Sequence, residues 1–536
     1  MTLSSASSAV KQRRRIKIDW EFWLVGFFSF VLFLAVSYYL VFHLNVFVTD
    51  AMARTRSAWQ VFFSSEPKLS NVGFVWAPLP TIMQLPLVLI PALRVNGFSA
   101  NIVTALSGAA CVQILFLFLR KTKLRPWIRS LLLLAYIANP MVLYYSCNGM
   151  SEIVLELFVL ITAYAYLRWE ETHEWIYLTT SSIATCLAFL SRYDGSFVAV
   201  VVVIMIGIDA IIRNRKQWSY AESVILLYAT PIAYVAGLWV FLNWLIMGDP
   251  LYFVRSDYSN AGQIGYQLAQ RVDLLPLKNN LLMSSYIGLK ETYQIFPFFI
   301  FVSILLLFFA ILKKKKVWIG VVAISWSLIL FTISNIFMGQ SAMFIRYFIS
   351  AIPMGIVLLA GLLELLPLRW RGVVALISVV GIGLSAFSTA DLMSRHDEWG
   401  QSNDKVVNAV LTNTPLHIWD EEQSLAKFIN TKTTGYVLVD DFQGYRVIFF
   451  SGKPWRFITP GNSTFKEYLK SPYGNVTYIL TSSTSLEGEL NQVNNTYPYL
   501  FNEGADWAKL VYEDSTWKLF EVESQPGNIL LDVSGN

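Results

Sequence analysis

The side chains whose type and setting suit chemistry are two acids, Asp50 and Glu152, and five arginines, Arg54, Arg56, Arg192, Arg255 and Arg346. Asp50 stands directly after a long apolar run, 22–47, and has Arg54 and Arg56 within six residues. A carboxylate so placed can take a proton from a hydroxyl beside an anion. Glu152 closes the short polar turn Cys147-Asn148-Gly149-Met150-Ser151-Glu152 between two apolar runs. Two acids at one membrane surface can share base duty or hold a divalent cation through oxygen ligands, so Asp50 and Glu152 are also the candidate metal ligands. Arg192 lies in Leu190-Ser191-Arg192-Tyr193-Asp194-Gly195, and Arg346 in Phe344-Ile345-Arg346-Tyr347, each at the end of an apolar run. Arg255 shares the segment 248–294 with Asp257, Tyr258, Arg271 and Asp273. A guanidinium offers a forked donor that matches phosphate.

Each residue also has a plainer reading. Asp50 can cap a helix beginning at Ala51 and pair with Arg54 one turn on. Glu152 can be a first-turn acid favoured by the helix dipole. Arginines at span ends can snorkel to the interface. Glu156, one turn beyond Glu152, is an ionisable group inside a span, and such groups face the bundle interior.

The elements that position these residues are membrane spans. Of 536 residues, 55% are hydrophobic and only 14% charged, against about 25% charged in soluble chains. The net charge of +5 is gathered in short clusters between apolar runs, which is not a nucleic-acid pattern. Lys11-Gln12-Arg13-Arg14-Arg15-Ile16-Lys17 precedes the first run, and further clusters fall at 120–129, 213–216, 313–316 and 369–371, with a weaker one at Arg168. Holding all of them in the cytoplasm gives about eleven spans, with cores near 22–43, 99–119, 129–146, 153–168, 175–190, 196–212, 221–246, 295–312, 317–336, 347–366 and 372–390. The stretch 76–93 is left out because Pro78, Pro80, Pro86 and Pro91 each remove a backbone donor that lipid cannot replace.

The fold expected is an α-helical polytopic membrane protein. It has a cytoplasmic tail, 1–20, a transmembrane domain, 21–390, with an outer loop at 48–98 and a lid loop at 248–294, and an extracytoplasmic C-terminal α/β domain, 391–536. In that last part the runs 437–439, 447–450 and 476–480 read as buried strands, 511 and 517–522 as a hairpin, and 402–411, 421–430 and 464–470 as helices. Cys111, Cys147 and Cys186 all lie in or beside apolar segments, so no disulfide framework is indicated. His43, His173, His396 and His417 are scattered, and neither a zinc spacing nor a P-loop occurs. Energy for any transfer must then come from an activated lipid-linked donor.

A first span ending in an outer Asp, a Pro-rich loop, an acid at the second outer turn, the Leu-Ser-Arg-Tyr-Asp-Gly turn and the late Arg346-Tyr347-Phe348-Ile349-Ser350-Ala351-Ile352-Pro353 together form a pattern. The chain resembles the GT-C superfamily of membrane glycosyltransferases, nearest to its protein O-mannosyltransferase and aminoarabinose transferase branch, over roughly 20–390. The resemblance implies inverting transfer from a polyprenyl-phosphate sugar, with Asp50 as base and Arg346 on the donor phosphate. The partners would be that donor, a lipid, glycan or protein acceptor, and membrane lipids. Two stretches depart from the family: Asp50-Ala51 replaces an Asp-Glu or Asp-Asp pair, and Gly73-Phe74-Val75-Trp76-Ala77-Pro78-Leu79-Pro80 replaces Lys-Pro-Pro-Leu. Both point to a distinct subfamily. The rival readings are a transporter or flippase of lipid-linked substrates, and a non-catalytic scaffold. A transporter would show paired mid-membrane charges and matching broken halves. A scaffold would not need outer acids beside outer arginines.

Overall fold

A computed structural model describes residues 19–95, 97–213, 218–256, 258–259, 261–264, 272–341, 343–395, 403–484 and 490–526. The N-terminal basic cluster, Asp257, Arg271 and His396 lie outside these residues. The longer helices in chain order are α1 (Trp20–Tyr38), α2 (Thr49–Phe63), α3 (Ser99–Lys121), α4 (Pro126–Ile137), α5 (Glu152–Thr172), α6 (Trp175–Ser191), α7 (Gly195–Arg213), α8 (Trp218–Met247), α9 (Leu281–Ile295), α10 (Pro297–Leu312), α11 (Lys316–Met338), α12 (Ala351–Leu365) and α13 (Leu368–Ser394). Six stretches among the described residues are long and apolar enough to cross a membrane, and the bent pair α9–α10 makes a seventh. Burial sorts them. The stretch Ile345–Leu365, which contains α12, is 94% buried, whereas α8 is 17% buried. A helix apolar all round and enclosed is the centre of a bundle; one apolar and open faces lipid.

Breaks fall where the backbone chemistry requires them. The expected span at 129–146 is two helices, because Pro140 starts a new turn, Pro140–Tyr145, capped by Asn139 Oδ1 accepting from Met141 N at 3.0 Å. Pro297 opens α10 at a 104° bend from α9. The proline-laden stretch forms three short helices, Leu79–Ile82, Leu85–Val88 and Pro91–Val95, in place of a span. α1 ends in a π-turn, Tyr39–His43, followed by left-handed Asn45 (φ 54°). That ending redirects the chain into α2, whose second residue is Asp50.

The C-terminal region holds a five-stranded mixed sheet, β1 (Val437–Leu438), β2 (Phe457–Ile458), β3 (Tyr478–Ser482), β4 (Ala508–Glu513) and β5 (Trp517–Val522), in the order β2-β1-β3-β5-β4. β1 pairs in parallel with β2 and β3, and β5 antiparallel with β3 and β4. Alternate residues feed two cores. Val437, Tyr478, Leu480, Trp517 and Leu519 face one, and Leu438, Ile458, Ile479 and Phe520 the other. One strand expectation is corrected: 447–450 lies in the helix α15 (Asp441–Ser451), which follows α14 (Asp420–Lys432). A four-residue apolar run does not distinguish buried strand from buried helix. Here Asp440 decides it, its Oδ1 accepting from Phe442 N at 2.8 Å as an N-cap.

α2 is clamped between bundle and sheet region. Met52, Ala53, Ala58 and Trp59 share a small core with Trp419, Tyr445 and Phe449. The Trp59 and Phe449 rings stack at 5.3 Å and 10°.

Candidate functional site

Three turns meet at one end of the bundle: the start of α2, the turn 147–152 leading into α5, and the turn Ile345–Phe348 leading into α12. Gly149 lets the first two approach. It has φ +80°, and a Cβ there would lie 2.9 Å from Ala51 Cβ and 2.8 Å from Ala100 Cβ. Asp50 and Glu152 therefore both occupy first turns of helices, where the backbone N–H groups make a positive end. Asp50 is not the N-cap: the cap position is Val48, which makes no side-chain cap.

Arg346 stands between the two acids. Its Nη2 is 3.5 Å from Asp50 Oδ2, and its Nε is 3.4 Å from Glu152 Oε1. Arg192 joins from the α6–α7 turn, with Nη1 2.9 Å from Glu152 Oε1 and Nε 2.9 Å from Asp194 Oδ2. Gly195 permits that turn, since a Cβ would meet the backbone of Ala188 at 2.5 Å. Arg54 turns away from its helical neighbour Asp50. It donates to Ala77 O at 3.2 Å and Ser151 Oγ at 3.5 Å, and lies 5.0 Å over the Trp76 ring. Burial strips water from Arg54 and pushes its guanidinium down to about 10, against the pull of Asp50. It stays charged at neutral pH.

Burial grades the cluster. Glu152 has 3% of its side chain exposed, whereas Asp50 has 32% and is the acid open to a reactant. Buried charges of both signs are tolerated because they are paired. The pairing is incomplete. Glu152 Oε2, Glu156 Oε2, Arg54 Nε and Arg346 Nε lack hydrogen-bond partners, so the cluster retains capacity for something not made of protein.

Five of the seven residues singled out from sequence thus come together: Asp50, Glu152, Arg54, Arg192 and Arg346. The other two do not. Arg56, two positions beyond Arg54, is turned to the opposite side of α2, where it holds Asp441 of α15 and Gln60 Oε1. Arg255 is 65% exposed and lies 3.8 Å from Asp249. Sequence reading gave no role to Ser151, which bridges Arg54 and Arg192, each at 3.5 Å. Asp194 was visible in its turn, but its partnership with Arg192 is local geometry. Among the described residues, no three His, Cys, Asp or Glu side chains gather as metal ligands, and the two acids proposed for a cation already share Arg346.

Residues 82–235 match a family model described as dolichyl-phosphate-mannose-protein mannosyltransferase. The structure is similar to ArnT from Cupriavidus metallidurans bound to undecaprenyl phosphate, with TM-score 0.53 and 12% identity over 96% of this chain and 98% of that one. Against the apo state of that protein the values are 0.54 and 11%, over 93% and 97%. An oligosaccharyltransferase from Archaeoglobus fulgidus in the apo form aligns more loosely, with TM-score 0.43 and 11% identity over 87% and 70%. A search of curated proteins finds no match. The family model matches part of the chain, the fold as a whole is that of ArnT, and the chain is an integral membrane protein.

Proposed function

We propose that this protein transfers a sugar from a polyprenyl-phosphate donor to a hydroxyl acceptor at the extracytoplasmic face of the plasma membrane, with inversion at the anomeric carbon. The observation that carries this reading is the placing of Arg346 between a half-open acid, Asp50, and a buried one, Glu152. Asp50 accepts the proton of the acceptor hydroxyl. The freed oxygen bonds to the anomeric carbon from the face opposite the phosphate, and the carbon–oxygen bond to phosphate breaks. Its electron pair leaves with the polyprenyl phosphate. Arg346 and Arg192 offset the charge that builds on that leaving group, helped by the positive ends of α2 and α5. Glu152 holds the two arginines in place. Arginine supplies the positive charge in this reading.

The fold shared with an undecaprenyl-phosphate-bound protein supports the lipid donor. Membrane orientation follows from the basic clusters, with the N-terminus cytoplasmic and the C-terminal region outside. The test is a turnover assay beside a lipid-binding assay on purified protein. Asp50→Asn removes basicity with little change in size. It should slow transfer on the order of a hundredfold or more while leaving folding and donor binding intact. An Asp50→Asn protein that turns over like wild type would falsify the base assignment.

A further inference from the structure

The end of the bundle away from Arg346 is made of three turns: 122–125 between α3 and α4, 313–315 between α10 and α11, and 366–367 between α12 and α13. Two basic side chains tie these turns together. Arg371 donates from Nη1 to Thr122 O at 2.8 Å, from Nε to Leu366 O at 2.9 Å and from Nη2 to Glu364 O at 2.7 Å, and Lys313 Nζ donates to Leu365 O. Both are thereby used on carbonyls at the end of α12, a place where a helix has no donors of its own.

The other cations at this end fall into two groups. Arg120 pairs with Asp19, Arg129 with Glu21, and Lys121 and Arg168 share Glu171. On or directly beside the three turns, Lys123, Arg125, Lys314, Lys315, Lys316 and Arg369 are exposed, and among the described residues none of them forms an ion pair. One acid, Glu364, lies in the field of this group, shared with Lys121, Lys315 and Arg371. Six like charges brought to one patch repel, and one carboxyl group does not offset them. Lys123 and Lys314 also hold left-handed backbone, φ 58° and 53°, where glycine is the easier residue. Trp127, Leu368 and Trp370 are exposed beside them, and large apolar side chains among cations suit the level where lipid tails meet headgroups. Holding span ends on one side of a membrane accounts for the presence of cations here. It does not account for the split between those matched by acids and those left free.

We propose that the three turns form a binding site for an anionic phospholipid. Its phosphodiester takes the free lysines and arginines as donors, and its acyl chains lie along α10 and α13, where Ile311, Leu312, Val373 and Ile377 are exposed. Cations near a bilayer surface each attract anionic lipid, and a guanidinium adds a forked pair of hydrogen bonds to a phosphate. The site is separate from Arg346, which precedes the other end of α12.

The test is native mass spectrometry of the detergent-purified full-length protein, titrated with phosphatidylglycerol or with phosphatidylcholine of the same chains. Wild type should retain at least one phosphatidylglycerol with about tenfold or more greater affinity than phosphatidylcholine, and equimolar inorganic phosphate should not displace it. Replacing one cation per turn, Lys123→Gln, Lys314→Gln and Arg369→Gln together, should cut that preference about tenfold. Replacing three exposed lysines of the C-terminal region, Lys427→Gln, Lys466→Gln and Lys470→Gln, changes net charge equally and should leave the preference intact. Equal affinity for the two lipids in wild-type protein overturns the proposal whatever the variants do. A turn variant that keeps the wild-type preference places the lipid elsewhere and overturns it too. An equal loss in both triple variants would show attraction by net charge alone and overturn the site. Displacement by inorganic phosphate would give the patch to the free anion and overturn the lipid.

Discussion

Two polar regions flank α2, and they are built on opposite plans. At the bundle end, Glu152 and Glu156 each leave one carboxyl oxygen without a donor, and Arg346 reaches its acids at 3.4 and 3.5 Å. On the other side of α2, Asp440 is just as deeply buried, yet both its oxygens are engaged. Oδ1 accepts from Phe442 N at 2.8 Å and Oδ2 from Gln492 N at 2.7 Å. Arg56 holds Asp441 beside it, and Tyr258 from the 248–294 segment meets Gln492 Nε2 at 3.0 Å. Buried polar groups closed by their own backbone define a joint, and buried polar groups left open define a site. The joint fixes α2 against the sheet region, and α2 carries Asp50.

The comparison breaks most readily at Arg346. Arg346→Lys keeps one positive charge but loses the fork that spans two acids and a phosphate. Binding of a polyprenyl phosphate should weaken about tenfold, with folding retained. Lipid binding equal to wild type, measured on the same purified protein, would place the phosphate elsewhere.

A smaller effect separates joint from site by pH. Burial, with Asp441 adding to it, pushes the Asp440 carboxyl up from 3.8 to about 6. The native state therefore keeps this proton to higher pH than the unfolded chain does. The stability it contributes is present below the unfolded value and is lost as pH rises through about 6. Thermal unfolding of the purified protein should occur at lower temperature as pH is raised from about 5 to about 7. Asp440→Asn should flatten that part of the profile. An unchanged slope in the variant would mean that other groups set it.

The smallest effect is expected at Arg255, which belongs to neither region. It is 65% exposed and its nearest acid, Asp249, is 3.8 Å away. Arg255→Ala should change stability by less than about 0.5 kcal/mol and leave donor binding and transfer unaltered. A marked loss of donor binding would return Arg255 to the site and bring the 248–294 segment with it.

Local rules read from the chain settled a good deal. Runs of apolar residues make spans wherever the backbone can bond to itself, so α1, α3, α8, α11, α12 and α13 lie where hydropathy puts them. Four prolines in 76–93 are enough to refuse a span there. Short apolar runs at 476–480 and 517–522 yield paired strands, and the acids and arginines that end spans could be recognised as a set. Tertiary structure decided which of them meet. Arg54 and Arg56 are two residues apart, about 200° around a helix, so one faces Ser151 and the other Asp441, 385 positions along the chain. The run at 447–450 became helix because Asp440 caps it. Spacing along a chain fixes the face a side chain takes on its own helix. What stands opposite that face depends on packing between distant segments, which no local pattern encodes.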